Sequence, residues 1–422
     1  MRSKQYRSSV IAWLASLAGL FILLATAVAA QAQTFTVIHT FTGGDDGAAP
    51  LAGLIMDRAG DLYGTASSGG LVSSNCEWPL SATQCGTAFQ LKHAGSGWFF
   101  TPLYLFQGGS DGYRPAARMV FGTNGLLYGT TLAGGGYSCS YYTQGCGIVF
   151  QLRPPANACK TAICNWNETV IYRFDGTGPE SGPLVFDQAG NLYGTAGGGD
   201  GSYVYDLSPG SGGWTQNVLS FFNNGDSLYN GVVFDAAGNL DGADAGAGYG
   251  GVYQLTHSGS GWTFHRLFDI TDIGAEGLDP LGGVILDNAG NIYGSTAGYG
   301  PNGGGTVFEL SAGTWNFNLL YGFSSNLAFP GPEESLTMDA AGNLYGTTDE
   351  DGAYAKGNVF KISPSSNGWI YTDLYDFTGG SDGAYPVSNV VIDAQGNLYG
   401  TTSEGGAGSC QYGCGTVWEI TP

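Results

Sequence analysis

The sequence predicts an all-β fold, a seven-bladed β-propeller of four-stranded blades in which the last blade is closed by the N-terminal strand. Three observations point there. A ten-residue unit recurs seven times, each period carries four strand-like runs in one order, and the last period lacks a run that the chain's beginning supplies.

The unit reads "DRAGDLYGTA" from Asp57, "GTNGLLYGTT" from Gly122, "DQAGNLYGTA" from Asp187, "DAAGNLDGAD" from Asp235, "DNAGNIYGST" from Asp287, "DAAGNLYGTT" from Asp339 and "DAQGNLYGTT" from Asp393. The fourth residues, Gly60, Gly125, Gly190, Gly238, Gly290, Gly342 and Gly396, are spaced by 65, 65, 48, 52, 52 and 54 positions. Self-similarity at such a period marks an array of supersecondary units, each unable to bury its apolar face alone.

Within a period an apolar run such as "LAGLIM" precedes the unit. A Gly-rich loop follows it, then a run such as "GTVFEL" from Gly305, a turn, and a Trp-led stretch such as "GWIYTDLYDF" from Gly368. Val, Ile, Phe, Tyr and Thr bounded by Gly, Asn, Asp and Ser are the strand signal, and they define strands A to D. Beyond the first 32 residues no run has a useful helical apolar period. Four antiparallel strands per repeat favour a propeller over a solenoid, whose rungs are shorter and whose ends need caps.

The ends of the chain favour it again. Repeat seven stops at "GTVWEI" (Gly415 to Ile420) without a strand D, and "TFTVIHTF" (Thr34 to Phe41) matches the missing strand. Donating it to blade seven removes both open edges.

Residues 1–32 carry Arg2, Lys4 and Arg7, an uncharged apolar stretch from Val10 to Ala30, and Ala30-Gln31-Ala32. This is the pattern of a cleaved signal peptide, and no later run approaches the length of a membrane span. The domain is then 33–422, and the expected location is secreted or periplasmic. A net charge of −21 over the whole chain, with three of its thirteen basic residues in that leader, excludes nucleic acid as a natural partner. A monomer with neutral or cationic ligands fits better.

The recurring decapeptide itself reads as scaffolding. Its Asp can cap the A-to-B turn while Gly or Asn takes the positive-φ position, the Tyr packs between blades, and the Gly after it leaves room for an aromatic. Trp98, Trp166, Trp214, Trp262, Trp315 and Trp369 recur once per repeat and are expected to be blade packing, leaving Trp78, in a long loop, free to stack on a glycan ring. The eight cysteines pair by proximity as Cys76–Cys85, Cys139–Cys146, Cys159–Cys164 and Cys410–Cys414, local disulfides suited to an exported protein.

The linked segments "D-x-x-G-N-L-Y-G-T-T", "G-G…G-T-V-F-x-L" and "F-x-G-G-x-D-G-A-x-P" resemble the GloVer tandem-repeat family, exported bacterial proteins described by their choice of anchor. The resemblance covers essentially the whole chain after residue 32 and implies an extracellular role, but brings no catalytic residues with it. The chain departs from the family at its end, Thr421-Pro422, which lacks the anchor tail of many relatives and so implies release rather than attachment. It departs also in repeat four, where Asp241 stands for the Tyr.

Functional residues are expected on the face formed by D-to-A and B-to-C loops. The loops "FTGGDDGAAP" (Phe41 to Pro50), "FQGGSDGYRP" (Phe106 to Pro115) and "FTGGSDGAYP" (Phe377 to Pro386) belong to blades that adjoin once the ring closes. Asp45, Asp46, Asp111 and Asp382 are therefore candidate Ca²⁺ ligands, because a hard cation wants several oxygens; the rival role for each Asp is to cap its own Gly turn. Asp46, Asp111 and Asp382 with Tyr113, Tyr385 and Trp78 form the candidate ligand surface. No cofactor is required, and the expected function is an exported binding or structural module for a glycan or cell-surface partner. The alternative is a polysaccharide hydrolase or lyase using an acid pair such as Asp241 and Asp244. His39, His93, His257 and His265 form no constellation with a nucleophile.

Overall fold

The computed structural model describes residues 33–76, 84–95, 97–137, 139, 145–156, 165–197, 201–222, 227–246, 248–259, 261–325, 327 and 329–422. The leader segment, Trp78, Cys159 and Cys164 lie outside them. Seven antiparallel sheets follow one another along the chain, each meandering from an innermost strand A to an outermost strand D. Blade one is Ile55–Met56, Leu62–Ala66, Thr87–Ala94 and Gly97–Leu105, and blade four is Val233–Phe234, Leu240–Asp244, Gly251–Ser258 and Gly261–Asp269. Blade three gains an extra short pairing of Gly178–Pro179 with Ala196 and Gly197.

Blade seven contains Val391–Ile392, Leu398–Thr402 and Thr416–Thr421, and its fourth strand is Thr34–Thr40. Thr34 lies opposite Thr421 and Val37 opposite Trp418, with a register shift before His39. The ring is closed as the sequence implies.

Each strand A forms a ladder of only two or three residues, shorter than the apolar run that contains it. The carbonyls at the start of these runs are used sideways. Hydroxyls on strand B of the preceding blade donate to them: Thr195 to Asn230 at 3.0 Å, Thr347 to Ser388 at 2.9 Å, and Thr401 to Pro50 at 3.0 Å.

Among the described residues, buried apolar side chains fall into seven clusters, one at each seam between blades. The glycine after the strand B tyrosine is required by close approach. A Cβ on Gly64 would sit 2.6 Å from Phe89, and one on Gly400 would sit 2.3 Å from Trp418. Phe89 and Trp418 are fully buried, a burial worth roughly 1.5–3 kcal/mol for a side chain of Phe size.

The A-to-B turns are held as expected. Asp339 accepts from the backbone N–H groups of Ala341 and Asn343, both at 2.9 Å, from the Asn343 amide at 2.7 Å and from the Tyr345 hydroxyl at 3.1 Å. Gly342 takes the positive φ, 79°.

On the opposite face three D-to-A loops, those entering blades one, two and seven, each lean on the B-to-C loop of the blade before. The residue preceding the loop's proline does the joining, in the left-handed region: Ala49 (φ 49°), Arg114 (φ 59°) and Tyr385 (φ 54°). Their N–H groups donate to the carbonyls of Cys414, Cys85 and Lys356, at 2.9, 2.9 and 3.0 Å. Disulfides Cys76–Cys85, Cys139–Cys146 and Cys410–Cys414 are formed in these B-to-C loops. No helix among the described residues is long and apolar enough to cross a membrane.

Candidate ligand clefts between blades

Among the described residues, clefts lie at two of the seams on the face made by the A-to-B and C-to-D turns. One, of about 800 Å³, lies between blades three and four, and the other, of about 640 Å³, lies between blades seven and one. They are built from matching parts. The leading blade supplies its turn Asp (Asp187 or Asp393), its strand B tyrosine (Tyr193 or Tyr399) and the carboxylate after the strand C aromatic (Asp206 or Glu419). The following blade supplies its own A-to-B turn and a His–Trp pair, His257 with Trp262 or His93 with Trp98.

The hairpin between strands C and D sets that pair. His93 lies directly opposite Trp98, and His257 opposite Trp262, one step from the end of each ladder. Directly opposed side chains on antiparallel strands share one face of the sheet, and the ring centroids are 5.0 and 4.9 Å apart. Each indole also meets the leading blade's tyrosine edge-on: Trp98 with Tyr399 at 5.6 Å, Trp262 with Tyr193 at 6.0 Å. Both tryptophans remain partly exposed. They are blade packing, as expected, and cleft walls as well.

Polar groups line the same walls. The Tyr399 hydroxyl lies 2.9 Å from Glu419 and 3.1 Å from Asp393, and the Trp98 indole N–H donates to Glu419 at 3.4 Å. Across the molecule, Asp206 accepts from the Ser208 hydroxyl at 2.7 Å and the Asn217 amide at 3.1 Å, while Tyr193 donates to Asp187 at 3.2 Å. Burial and these carboxylates raise both tyrosine pKa values well above the ordinary, so the hydroxyls stay protonated. Flat apolar rings beside fixed acceptors and a few donors suit a ligand with an apolar face and a rim of hydroxyls.

The predicted D-to-A loop residues lie on the other face, where the loop aspartates bind their own loops; Trp78 is outside the described residues. Asp46 accepts from the Thr42 N–H at 2.8 Å and its hydroxyl at 2.5 Å. Asp111 accepts from the Gln107 N–H at 2.7 Å and the Tyr104 hydroxyl at 2.6 Å. Asp382 accepts from the Thr378 N–H at 2.8 Å and hydroxyl at 2.5 Å, and from Tyr375 at 3.0 Å. Asp45 is exposed. Among the described residues no three His, Cys, Asp or Glu side chains are grouped to hold a metal ion.

Two expectations need correction. Tyr113 is fully buried and is a core residue of the seam between blades one and two, so it cannot meet a ligand. Tyr385 is partly exposed, but its hydroxyl accepts from the Lys356 ammonium at 2.6 Å. The acid pair of blade four is also inaccessible. Asp241 is fully buried and accepts from Gln254 at 2.9 Å, while Asp244 is buried against the Arg266 guanidinium. Burial, with the nearby Asp235 carboxylate, pushes Asp241 up to about 7.

The clefts are hard to find in the sequence because six of the seven repeats carry a Trp in the same place. The distinguishing signal was finer: only two hairpins read His-x-Gly-Ser-Gly-Trp, "HAGSGW" from His93 and "HSGSGW" from His257.

Seven meandering blades sealed by a strand from the chain's beginning define the molecule as a seven-bladed β-propeller. Within it, residues 241–422, from blade four's strand B to the end of the chain, match the Gloeobacter/Verrucomicrobia repeat. The resemblance read from the sequence holds over that span. No curated protein matches the chain. Solved structures similar to it include a candidate glucose dehydrogenase from Thermus thermophilus, 13% identical, covering 92% of this chain and 99% of its own, with a TM-score of 0.44. A candidate 6-phosphogluconolactonase from Bacteroides uniformis is 14% identical, covering 77% and 83%, TM-score 0.47. A gluconolactonase from Xanthomonas campestris is 12% identical, covering 75% and 92%, TM-score 0.40. Those activities belong to those proteins.

Proposed function

We propose that this protein is an exported glycan-binding module that takes neutral sugar residues in the two interblade clefts. The observation that carries the reading is the recurrence of one constellation, His, Trp, Tyr and a carboxylate, at two seams of the ring, in the two blades that share the His-x-Gly-Ser-Gly-Trp hairpin. A pyranose ring offers C–H groups to an indole face and hydroxyls to carboxylates and amides. The acidic walls disfavour phosphate or sulfate and accept hydroxyl donors. Export agrees with the leader pattern and with disulfides that persist only under oxidising conditions.

An array of neutral oligosaccharides followed by titration calorimetry tests this. Wild-type protein should bind two ligands per chain, Trp98→Ala and Trp262→Ala one each, and the double variant none. A double variant that binds like wild type removes the proposal.

A further inference from the structure

The strand A position two residues before the partner of the strand B tyrosine, or of Asp241 in blade four, recurs as Gly53, Arg118, Pro183, Gly231, Gly283, Ser335 and Asn389. Residues of this ring from opposite sides of the propeller line common cavities, so the position faces the axis. Arg118 is its one charged member.

Arg118 lines a cavity of about 300 Å³ together with the polar side chains of Asn230, Ser335 and Asn389 and the apolar ones of Val232 and Ile285. Its walls follow strand A toward the A-to-B turns, so it opens on the same face as the clefts. The glycines of the ring make room for the amides: a Cβ on Gly53 would lie 1.6 Å from the Asn389 carbonyl oxygen, and one on Gly283 would lie 3.0 Å from that of Asn230.

The ion pairs among described residues are His39–Asp46, Lys92–Asp61 and those of Arg266 with Asp244 and Asp269. Arg118 is in none of them. Glu334 acts on it from a greater distance. Burial and the neighbouring Glu333 push that carboxyl up to about 8, against the pull of Arg118 itself, which weakens its hold on the guanidinium. Arg118 is partly buried, and a partly buried guanidinium with no carboxylate in ion-pair range is unfavourable, so an incoming monoanion relieves it. A dianion such as phosphate would exceed the one positive charge on offer.

We propose that the axial cavity is a carboxylate site, in which Arg118 takes the carboxylate of a sugar acid while Asn230, Ser335 and Asn389 meet its hydroxyls. Two parallel N–H···O bonds from the planar fork match a carboxylate, and its charge makes them stronger than bonds to the hydroxyls of a neutral sugar. The volume is at the lower end for ligand pockets and suits one monosaccharide. This site does not depend on the interblade clefts.

Calorimetric titration with sodium D-glucuronate, with D-glucose as the neutral control, tests the assignment on wild type, Arg118→Met, Arg118→Lys and the Trp98→Ala/Trp262→Ala double variant. The expected result is one glucuronate per chain, weakened at least about tenfold in Arg118→Met and less in Arg118→Lys, and unchanged in the double variant. Arg118→Met should melt no lower than wild type, since it removes a partly buried charge. Asn389→Ala provides a second variant, expected to weaken glucuronate without removing the cation. Absence of glucuronate binding to wild type overturns the proposal, as does undiminished binding to a folded Arg118→Met protein.

Discussion

The indole nitrogen of Trp98 lies 3.4 Å from the carboxylate of Glu419 and donates to it across the seam where the end of the chain meets its beginning. Glu419 follows Trp418, which is fully buried and lies opposite Val37 of the closing strand. One short stretch thus seals the ring on one side of the sheet and lines a cleft on the other. At the blade three to four seam the shorter Asp206 engages Ser208 and Asn217 instead, so the two clefts share parts without being identical.

The closing strand should be worth more than its length suggests. Phe41, fully buried just past it, packs on Phe89 of blade one with ring centroids 5.3 Å apart. Phe41→Ala is expected to cost about 3–5 kcal/mol in a denaturant titration. It should also weaken ligand binding at the seven-to-one cleft before that at the three-to-four cleft.

Acid should unfold the protein through its turns. Burial alone would raise the pKa of Asp287 and Asp339, but the bonds from Asn291 and Asn343, the turn N–H groups and the tyrosines hold both below the ordinary carboxylate value. A depressed folded pKa gives stability that is present above the unfolded value, near 4, and lost as pH falls through the folded one. Asp339→Ala should cost about 1–3 kcal/mol at pH 7 and flatten the acid limb of a melting-temperature profile.

The neutral-to-alkaline limb has the opposite origin. Asp241 is raised to about 7, Glu333 to about 7, Glu334 to about 8 and Asp349 to about 6, in each case chiefly by burial. Here the folded state holds protons that the unfolded chain releases, so stability declines as pH rises from about 4 toward 8. Asp241→Asn should raise the melting temperature at pH 8, by a gain on the order of 1–4 kcal/mol, and leave it nearly unchanged at pH 4. A variant no more stable at pH 8 would contradict the assignment.

Calcium provides a further check. Because Asp46 and Asp382 already accept two or three bonds from their own loops, chelation followed by Ca²⁺ addition should leave the melting temperature where it was. A Ca²⁺-dependent rise would show that these loops open to a cation.

What the sequence disclosed was whatever repeats. The Asp turn, the glycine facing an aromatic and the missing last strand recur often enough to fix the blades and the ring closure at Thr34 and Thr421. The clefts were hidden by that same regularity, since Trp98 and Trp262 look like four other repeat tryptophans until the His five residues earlier is compared. Tyr113 was misplaced because a Gly-rich acidic loop looks exposed, whereas this ring turns inward beneath it. Arg118 gave no signal in "PAARMV" because its isolation appears only when the innermost strands are aligned around the axis.

Among the described residues the first strand, Thr34–Thr40, pairs with the last, Thr416–Thr421, which is synthesised only after six blades. Six blades can assemble in turn from local hairpins, but the seventh waits on the longest-range contact in the molecule, of the kind that slows folding. Until then the apolar faces at the two ends of the growing arc are uncovered and Thr34–Thr40 has no ladder partner, so assembly is most vulnerable to self-association just before its last step.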